Sequence, residues 1–364
     1  YYSNAEVDKL TGELATQTDF TRRNQIISQL WRTVHDEQIY IPLHIQTVAY
    51  AMKADVEIAP DIENLPIDRA APAARVVINA TGVWSDAVRR LDDPDAPPQL
   101  APSQGAHVVV DRDFLPGDDA LLIPRTDDGR VLFVIPWQGR LLLGTTDTPR
   151  TDLPAEPRPL DAEIDFILTT AARYLTRAPR RDDVRSAFAG LRPLIGGTGA
   201  SARLSREHLI QVSTRGLVSV AGGKWTTYRS MAEAVVDRAE AVGGLPPRPC
   251  PTPTLRLFGA PTAPTGDVYG CERAAIERLP GAGRRLHPAF TLSEAEVRHA
   301  ARAEQARSVA DVLARRHRAL FIDAAAAQQA APAVAAVMAS ELGWDAPRTH
   351  EMTEAFHRLA EGFR

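Results

Sequence analysis

Residues 217–242 constrain the fold more than any other stretch of the chain. An apolar run at 217–221 reads as a buried strand, Gly222 and Gly223 follow, and 228–242 continue with a helical pattern. A strand that ends in two glycines and opens a helix leaves bare backbone N–H groups at the helix N-terminus. With both Cβ atoms removed, a flat or anionic ligand can approach that backbone closely. Lys224 and the hydroxyls of Thr226 and Thr227 would then surround the ligand. The plainer alternative is an ordinary strand-to-helix turn.

Other polar clusters fit the same site. Arg75-Val-Val-Ile-Asn-Ala-Thr-Gly-Val-Trp84 is a short apolar strand ending in Asn-Ala-Thr-Gly, which puts Thr81, Gly82 and Trp84 at a strand end. Ser103-Gln-Gly-Ala-His107 places a histidine at the mouth of another strand, and Leu141-Leu-Leu-Gly-Thr-Thr-Asp147 ends a third in a threonine-rich turn. Ala187-Phe-Ala-Gly-Leu-Arg192-Pro-Leu194 offers an arginine whose backbone the next proline restricts. In this order and at these spacings, the motifs resemble those of the FAD-dependent, respiratory glycerol-3-phosphate dehydrogenases over residues 72–364. Gly144-Thr-Thr-Asp147, Gly190-Leu-Arg-Pro193 and Gly222-Gly-Lys-Trp-Thr-Thr-Tyr-Arg229 are the most specific parts.

The resemblance implies oxidation of sn-glycerol 3-phosphate to dihydroxyacetone phosphate, with FAD as cofactor and a quinone as electron acceptor. It also implies a peripheral place on the cytoplasmic face of the cell membrane; an oligomer is left open. A base suits the proton that leaves the C2 hydroxyl, and His107 sits where the resemblance puts a substrate-side histidine. A strand-end histidine bonded to a backbone carbonyl is the alternative. Arg192 and Lys224 supply positive charge for phosphate or a developing alkoxide, with Arg206 a third cation; each is otherwise a surface ion pair. Asp147 orients a base, holds a glycerol hydroxyl or caps its own turn, with Thr146 beside it on the substrate. Thr81, Gly82, Trp84, Gly222, Gly223, Lys224, Trp225 and Thr226 form the expected FAD-binding set, and Trp84, Trp137 and Trp225 otherwise pack in the core.

Members of that family open with Gly-x-Gly-x-x-Gly between a strand and a helix, and residues 1–80 contain no such triplet. The chain also starts at Tyr1, which reads as a fragment or a processed chain. Residues 1–70 look different from the rest. Ser3-Asn-Ala-Glu6 is a capping-box pattern before one helix, and residues 21–35 form a second, with Ile26, Ile27, Leu30, Trp31 and Val34 as its apolar stripe. The extended Ile39-Tyr-Ile-Pro-Leu43 follows. This order is similar to the C-terminal end of periplasmic peptide-binding proteins of ABC transporters, Tyr40-Ile-Pro-Leu-His44 being its best part. The expectation is a junction of two pieces through the Pro- and Ala-rich 60–74, the alternative an unusual extension of the dehydrogenase. Three other readings of function stay open: an inactive fragment, a fusion, or a solute-binding component of an ABC transporter.

The expected architecture is α+β. It has a mixed-sheet oxidoreductase substrate domain at 72–250, without the dinucleotide unit, and an all-helical domain at 255–364 beyond a Pro-rich spacer. Short apolar runs at 108–110, 120–123, 131–135 and 140–143 read as strands, with Asp127-Asp-Gly-Arg130 as a hairpin turn. Residues 160–177 read as one amphipathic helix. Ser293-x-x-Glu296, Ser308-x-x-Asp311 and Thr349 read as helix starts, Gly343 as a stop, and the alanine-rich 324–336 as a helix interrupted at Pro332. A net charge of −4 gives no nucleic-acid signature, two cysteines make no disulfide framework, and nine dispersed histidines offer no metal spacing.

Overall fold

In the computed structural model, residues 74–127, 129–196, 208–260 and 267–364 are described, together with Leu10, Glu13, Arg22 and Gln25. The helix pair and strands expected in residues 1–70 lie outside the described residues, as does Arg206.

The molecule is built around strand β2 (Ser103–Asp111). It pairs antiparallel with β5 (Arg140–Gly144) and β6 (Thr148–Pro149) and with β7 (Ser186–Arg192). The strands β3 (Leu121–Ile123) and β4 (Leu132–Trp137) extend the sheet beyond β5, joined by a hairpin in which Thr126 and Arg130 bond each other. Val108, Val109 and Val110 are all fully buried. A run without polar alternation is what a strand covered on both faces requires. One face carries Ala106, Val108 and Val110, packed with Leu141, Leu143 and Ala187 under helix α2 (Asp161–Ala172). The other face carries Gly105, His107 and Val109.

A second, three-stranded sheet sets β9 (Leu217–Gly222) between β1 (Val77–Asn79), parallel to it, and β8 (His208–Val212), antiparallel. Helix α1 (Ser85–Asp92) follows β1, and α3 (Tyr228–Val242) follows β9 and packs Val235 and Ala239 on Val218. The carboxyl ends of β1 and β9 therefore lie side by side.

The helical domain holds α4 (Glu294–Ala303), α5 (Ala324–Leu342) and α6 (Ala346–Glu361) around an apolar core rich in alanine. Ser293 and Glu296 form the expected capping box, and Gly343 ends α5 in the left-handed region. The domain docks on β7: Ser186 Oγ donates to the Leu320 carbonyl at 2.9 Å, Ala187 N to Phe363 at 2.8 Å, and Ala324 N to Arg185 at 2.9 Å. These bonds and the Arg140–Asp323 ion pair cover a strand edge that would otherwise stand open. Among the described residues no helix is long and apolar enough to cross a membrane.

Three expectations of local structure need correction. The helix expected over 160–177 is shorter, α2 ending at Ala172 where the chain turns. Helix α6 starts at Ala346 with Asp345 as its cap, and Thr349 lies inside its first turn, bonding back to the Asp345 carbonyl. Helix α5 runs unbroken through Pro332. Proline removes the N–H that would bond the carbonyl four residues back, which belongs to Gln328. His357 Nε2 of α6 takes that carbonyl instead at 3.2 Å, while Gln328 Nε2 donates to the His357 carbonyl at 3.2 Å. A tertiary contact thus satisfies the group that local sequence leaves open.

That substitution of partners is measurable. His357→Ala should cost about 1–3 kcal/mol by leaving the Gln328 carbonyl unsatisfied. In a Pro332→Ala background the N–H of residue 332 reaches Gln328, and the cost should fall by about 1 kcal/mol. Urea unfolding of the four proteins checks this; equal costs in both backgrounds would refute it.

Candidate active site

The site forms where β5 and β6 part along β2. β5 reaches as far as the pair His107–Gly144, and β6 resumes at Gln104–Thr148. Between them the turn Thr145-Thr146-Asp147 leaves the ladder. The Ala106 N–H that loses a strand partner there donates to Thr146 Oγ at 2.9 Å. Arg192, at the end of β7 opposite Ser103, folds over this gap. Its guanidinium donates to the Thr146 carbonyl at 3.1 Å and to Thr145 Oγ at 3.0 Å, and lies 3.5 Å from Asp147 Oδ1. Ser103 Oγ donates to the same Asp147 oxygen. The guanidinium rests on Gly105, where any Cβ would collide with it.

His107 stands next along the same face. Its ring lies against Gly144, where a Cβ would strike the imidazole, and stacks on Phe188 at 5.5 Å. Burial, and then the nearby Arg192 charge, pull its pKa from 6.5 down to about 4. The imidazole is neutral at pH 7.

Glu163, which the sequence did not single out, lies behind the gap in the first turn of α2. It is 4% exposed. It accepts from Thr146 Oγ at 2.8 Å, Thr148 Oγ at 2.7 Å, Gln104 Nε2 at 2.6 Å and Leu160 N at 2.9 Å. Burial works against its charge, but those hydrogen bonds outweigh it and hold its pKa below the ordinary value. Thr146 was expected to touch substrate. Its side chain is buried and its hydroxyl is committed to Glu163 and Ala106, so only its carbonyl serves the site.

Beside this gap stands the end of the three-stranded sheet. Asn79, 1% exposed, donates to Ser85 and to Ser219 Oγ, locking β1 to β9. Thr81 Oγ bonds Asn79 Oδ1 at 2.7 Å and so shapes the turn. Trp84 Nε1 donates to the Leu153 carbonyl at 3.2 Å, tying that turn to the substrate side. Gly82, Gly222 and Gly223 all have positive φ, and a Cβ on Gly82 would face open space. Lys224, Trp225 and Thr226 are exposed, Trp225 stacking on Tyr228 at 5.3 Å. Trp225 is therefore no core residue. The hydroxyl of Thr227 bonds the Lys224 carbonyl and is spent on the turn. The sequence thus brings His107, Arg192 and Asp147 together at one place, and the two glycine turns together at another.

Residues 51–229 match the family model described as FAD dependent oxidoreductase, and residues 266–349 that of the C-terminal domain of alpha-glycerophosphate oxidase. The chain has the fold of an FAD dependent oxidoreductase. It is 39% identical over 315 residues to a Caenorhabditis elegans protein named as a probable mitochondrial glycerol-3-phosphate dehydrogenase, covering 77% of this chain and 43% of that one. It is 37% identical over 331 residues to the mitochondrial glycerol-3-phosphate dehydrogenase of Arabidopsis thaliana, covering 80% and 52%. The structure of the Bacillus halodurans glycerol-3-phosphate dehydrogenase complexed with FAD superimposes with a TM-score of 0.63 at 28% identity, over 79% of this chain and 62% of that one. The chain spans about half the length of the curated relatives it matches. The oxidoreductase match begins at residue 51, inside the stretch that the sequence analysis set apart as 1–70.

The residues present fit FAD at one end. The glycine turns at the carboxyl ends of two parallel strands suit a flat ring lying on bare backbone. No Gly-x-Gly-x-x-Gly occurs anywhere in the 364 residues, so that device for the pyrophosphate is not among them.

A folded-state pKa depressed from 6.5 to about 4 has a stability signature. Between those values the unfolded chain binds a proton at His107 that the folded chain refuses, so stability should fall as pH drops from about 6.5 to about 4 and level off below. The full effect is roughly 3 kcal/mol. Urea midpoints across that window should show the slope in the native protein and a shallower one in His107→Asn.

Proposed function

We propose that this chain carries the substrate side of an FAD-dependent glycerol-3-phosphate dehydrogenase, which oxidises sn-glycerol 3-phosphate to dihydroxyacetone phosphate. The observation that carries the reading is a neutral, half-buried His107 beside an Arg192 guanidinium pinned over Gly105. Arg192 takes the phosphate or the oxygen that becomes the ketone, a planar guanidinium being suited to charge-assisted bonds with a dianion. Asp147 and the Thr146 carbonyl hold its plane fixed, so little side-chain freedom is lost on binding. His107 receives the proton of the C2 hydroxyl. A base with a pKa near 4 is weak for that task at neutral pH. A bound phosphate adds negative charge and offsets Arg192, which raises the His107 pKa when substrate is present. Bound at the glycine turns, FAD would supply the acceptor for the hydride that leaves C2. Gly82, Gly222 and Gly223 would lie against its ring, with Trp84 and Trp225 flanking and Lys224 adding positive charge. Thr81 and Thr226 complete the turns.

The resemblance adds a quinone as electron acceptor and a place at the inner face of the cell membrane. For residues 1–70, the likeness to a solute-binding protein is a reading of sequence alone. The oxidoreductase match favours assigning residues from 51 onward to the dehydrogenase part.

Calorimetric titration tests the substrate assignment without requiring turnover. Glycerol 3-phosphate should bind at least a hundredfold more tightly than glycerol, and Arg192→Ala should remove about 2–5 kcal/mol of that affinity. Equal affinity for the two ligands would sink the assignment. Between pH 4 and 6 binding should take up protons, seen as a buffer-dependent heat. With added FAD and a dye acceptor, His107→Ala should lower kcat by about a hundredfold to ten-thousandfold with a smaller change in KM.

A further inference from the structure

Glu163 does not face the gap that holds Arg192; it sits on the other side of the sheet, yet it bonds residues of both strands that frame the gap. The residues 146, 147 and 148 alternate in direction as a strand does. Thr146 and Thr148 send their hydroxyls back to the same oxygen, Glu163 Oε1, at 2.8 and 2.7 Å. Asp147, between them, is thereby turned forward onto Ser103 and Arg192. The same alternation acts on β2. Gln104 reaches back to Glu163 Oε2 at 2.6 Å, while its neighbours Ser103 and Gly105 face forward, one bonding Asp147 and the other supporting the guanidinium. One buried carboxylate thus fixes both strands that frame the gap. Its own position is fixed in turn by the Leu160 N–H at the start of α2.

We propose that Glu163 is a positioning residue that sets the seat of Arg192 through Thr146, Thr148 and Gln104, without touching substrate. The proposal rests on the dehydrogenase reading only for what Arg192 grips; the seat itself is independent of it. A carboxylate is required because all four neighbours donate. An amide in its place puts an N–H where one oxygen accepted, so either Gln104 and Leu160 lose their acceptor or the two threonine hydroxyls must reverse, which loosens the turn 145–147. Thr148→Val is the milder cut, removing one tie and leaving the start of α2 intact.

The test reads Arg192 through its neighbour His107. Imidazole signals are followed by NMR against pH in the native chain, assigned with His107→Asn, and then in Thr148→Val and Glu163→Gln. Ser293→Ala, which weakens a helix cap in the helical domain, controls for general destabilisation. If Glu163 sets the seat, both site variants raise the His107 midpoint toward its ordinary value as Arg192 withdraws, and Ser293→Ala does not. Affinity for glycerol 3-phosphate falls by up to about a hundredfold in the same two variants. An unchanged His107 midpoint in Thr148→Val overturns the proposal, as does an equal shift in Ser293→Ala. Should Glu163→Gln fail to fold, Thr148→Val decides. A native chain that does not bind glycerol 3-phosphate would remove the dehydrogenase reading, while the His107 titration still judges Glu163.

Discussion

The candidate site depends on the two-sidedness of β2. A strand sends successive side chains to opposite faces, so a nine-residue strand paired on both edges must satisfy two environments at once. Ala106, Val108 and Val110 join the apolar layer under α2, while Gly105 and His107 line the polar gap. A one-residue slip in pairing would exchange the two sets, burying the imidazole in hydrocarbon and exposing valine to the gap. The pairs Gly105–Gly190 and His107–Phe188 hold the register, and His107–Gly144 repeats it on the other edge.

Small residues then decide what fits. Gly105 and Gly144 are not turn glycines; they are absences that make room for a guanidinium and an imidazole. Because Arg192 lies against backbone, its charge sits close enough to add to the effect of burial in lowering the His107 pKa. The ion pairs on the outer surface, such as Arg181 with Asp161 and Asp165, are exposed and contribute little by comparison.

Much of this was legible in the sequence. The apolar runs, the glycine-terminated strands and the order of polar motifs placed the sheets, the helical domain and the trio His107, Arg192 and Asp147. What was not legible depends on register. An acidic residue in the first turn of a helix has an ordinary explanation as a dipole partner, so Glu163 carries no signal until Thr146, Thr148 and Gln104 are known to converge on it. Thr146 looked like a ligand because its motif did; only the direction of its hydroxyl shows otherwise. Pro332 was read as a break because local rules say so, and His357, twenty-five positions away, overrules them.

Phe188 has a consequence of a different kind. One face of its ring stacks on His107, and its edge meets Phe321, which in turn meets Phe363 near the end of the chain. The imidazole is therefore backed by a row of aromatic rings that ends in the helical domain. That domain backs the gap beside His107 and is not an appendage. Loosening its seat lets more water reach the imidazole, so in mild denaturant the surroundings of His107 should change before the sheets themselves come apart.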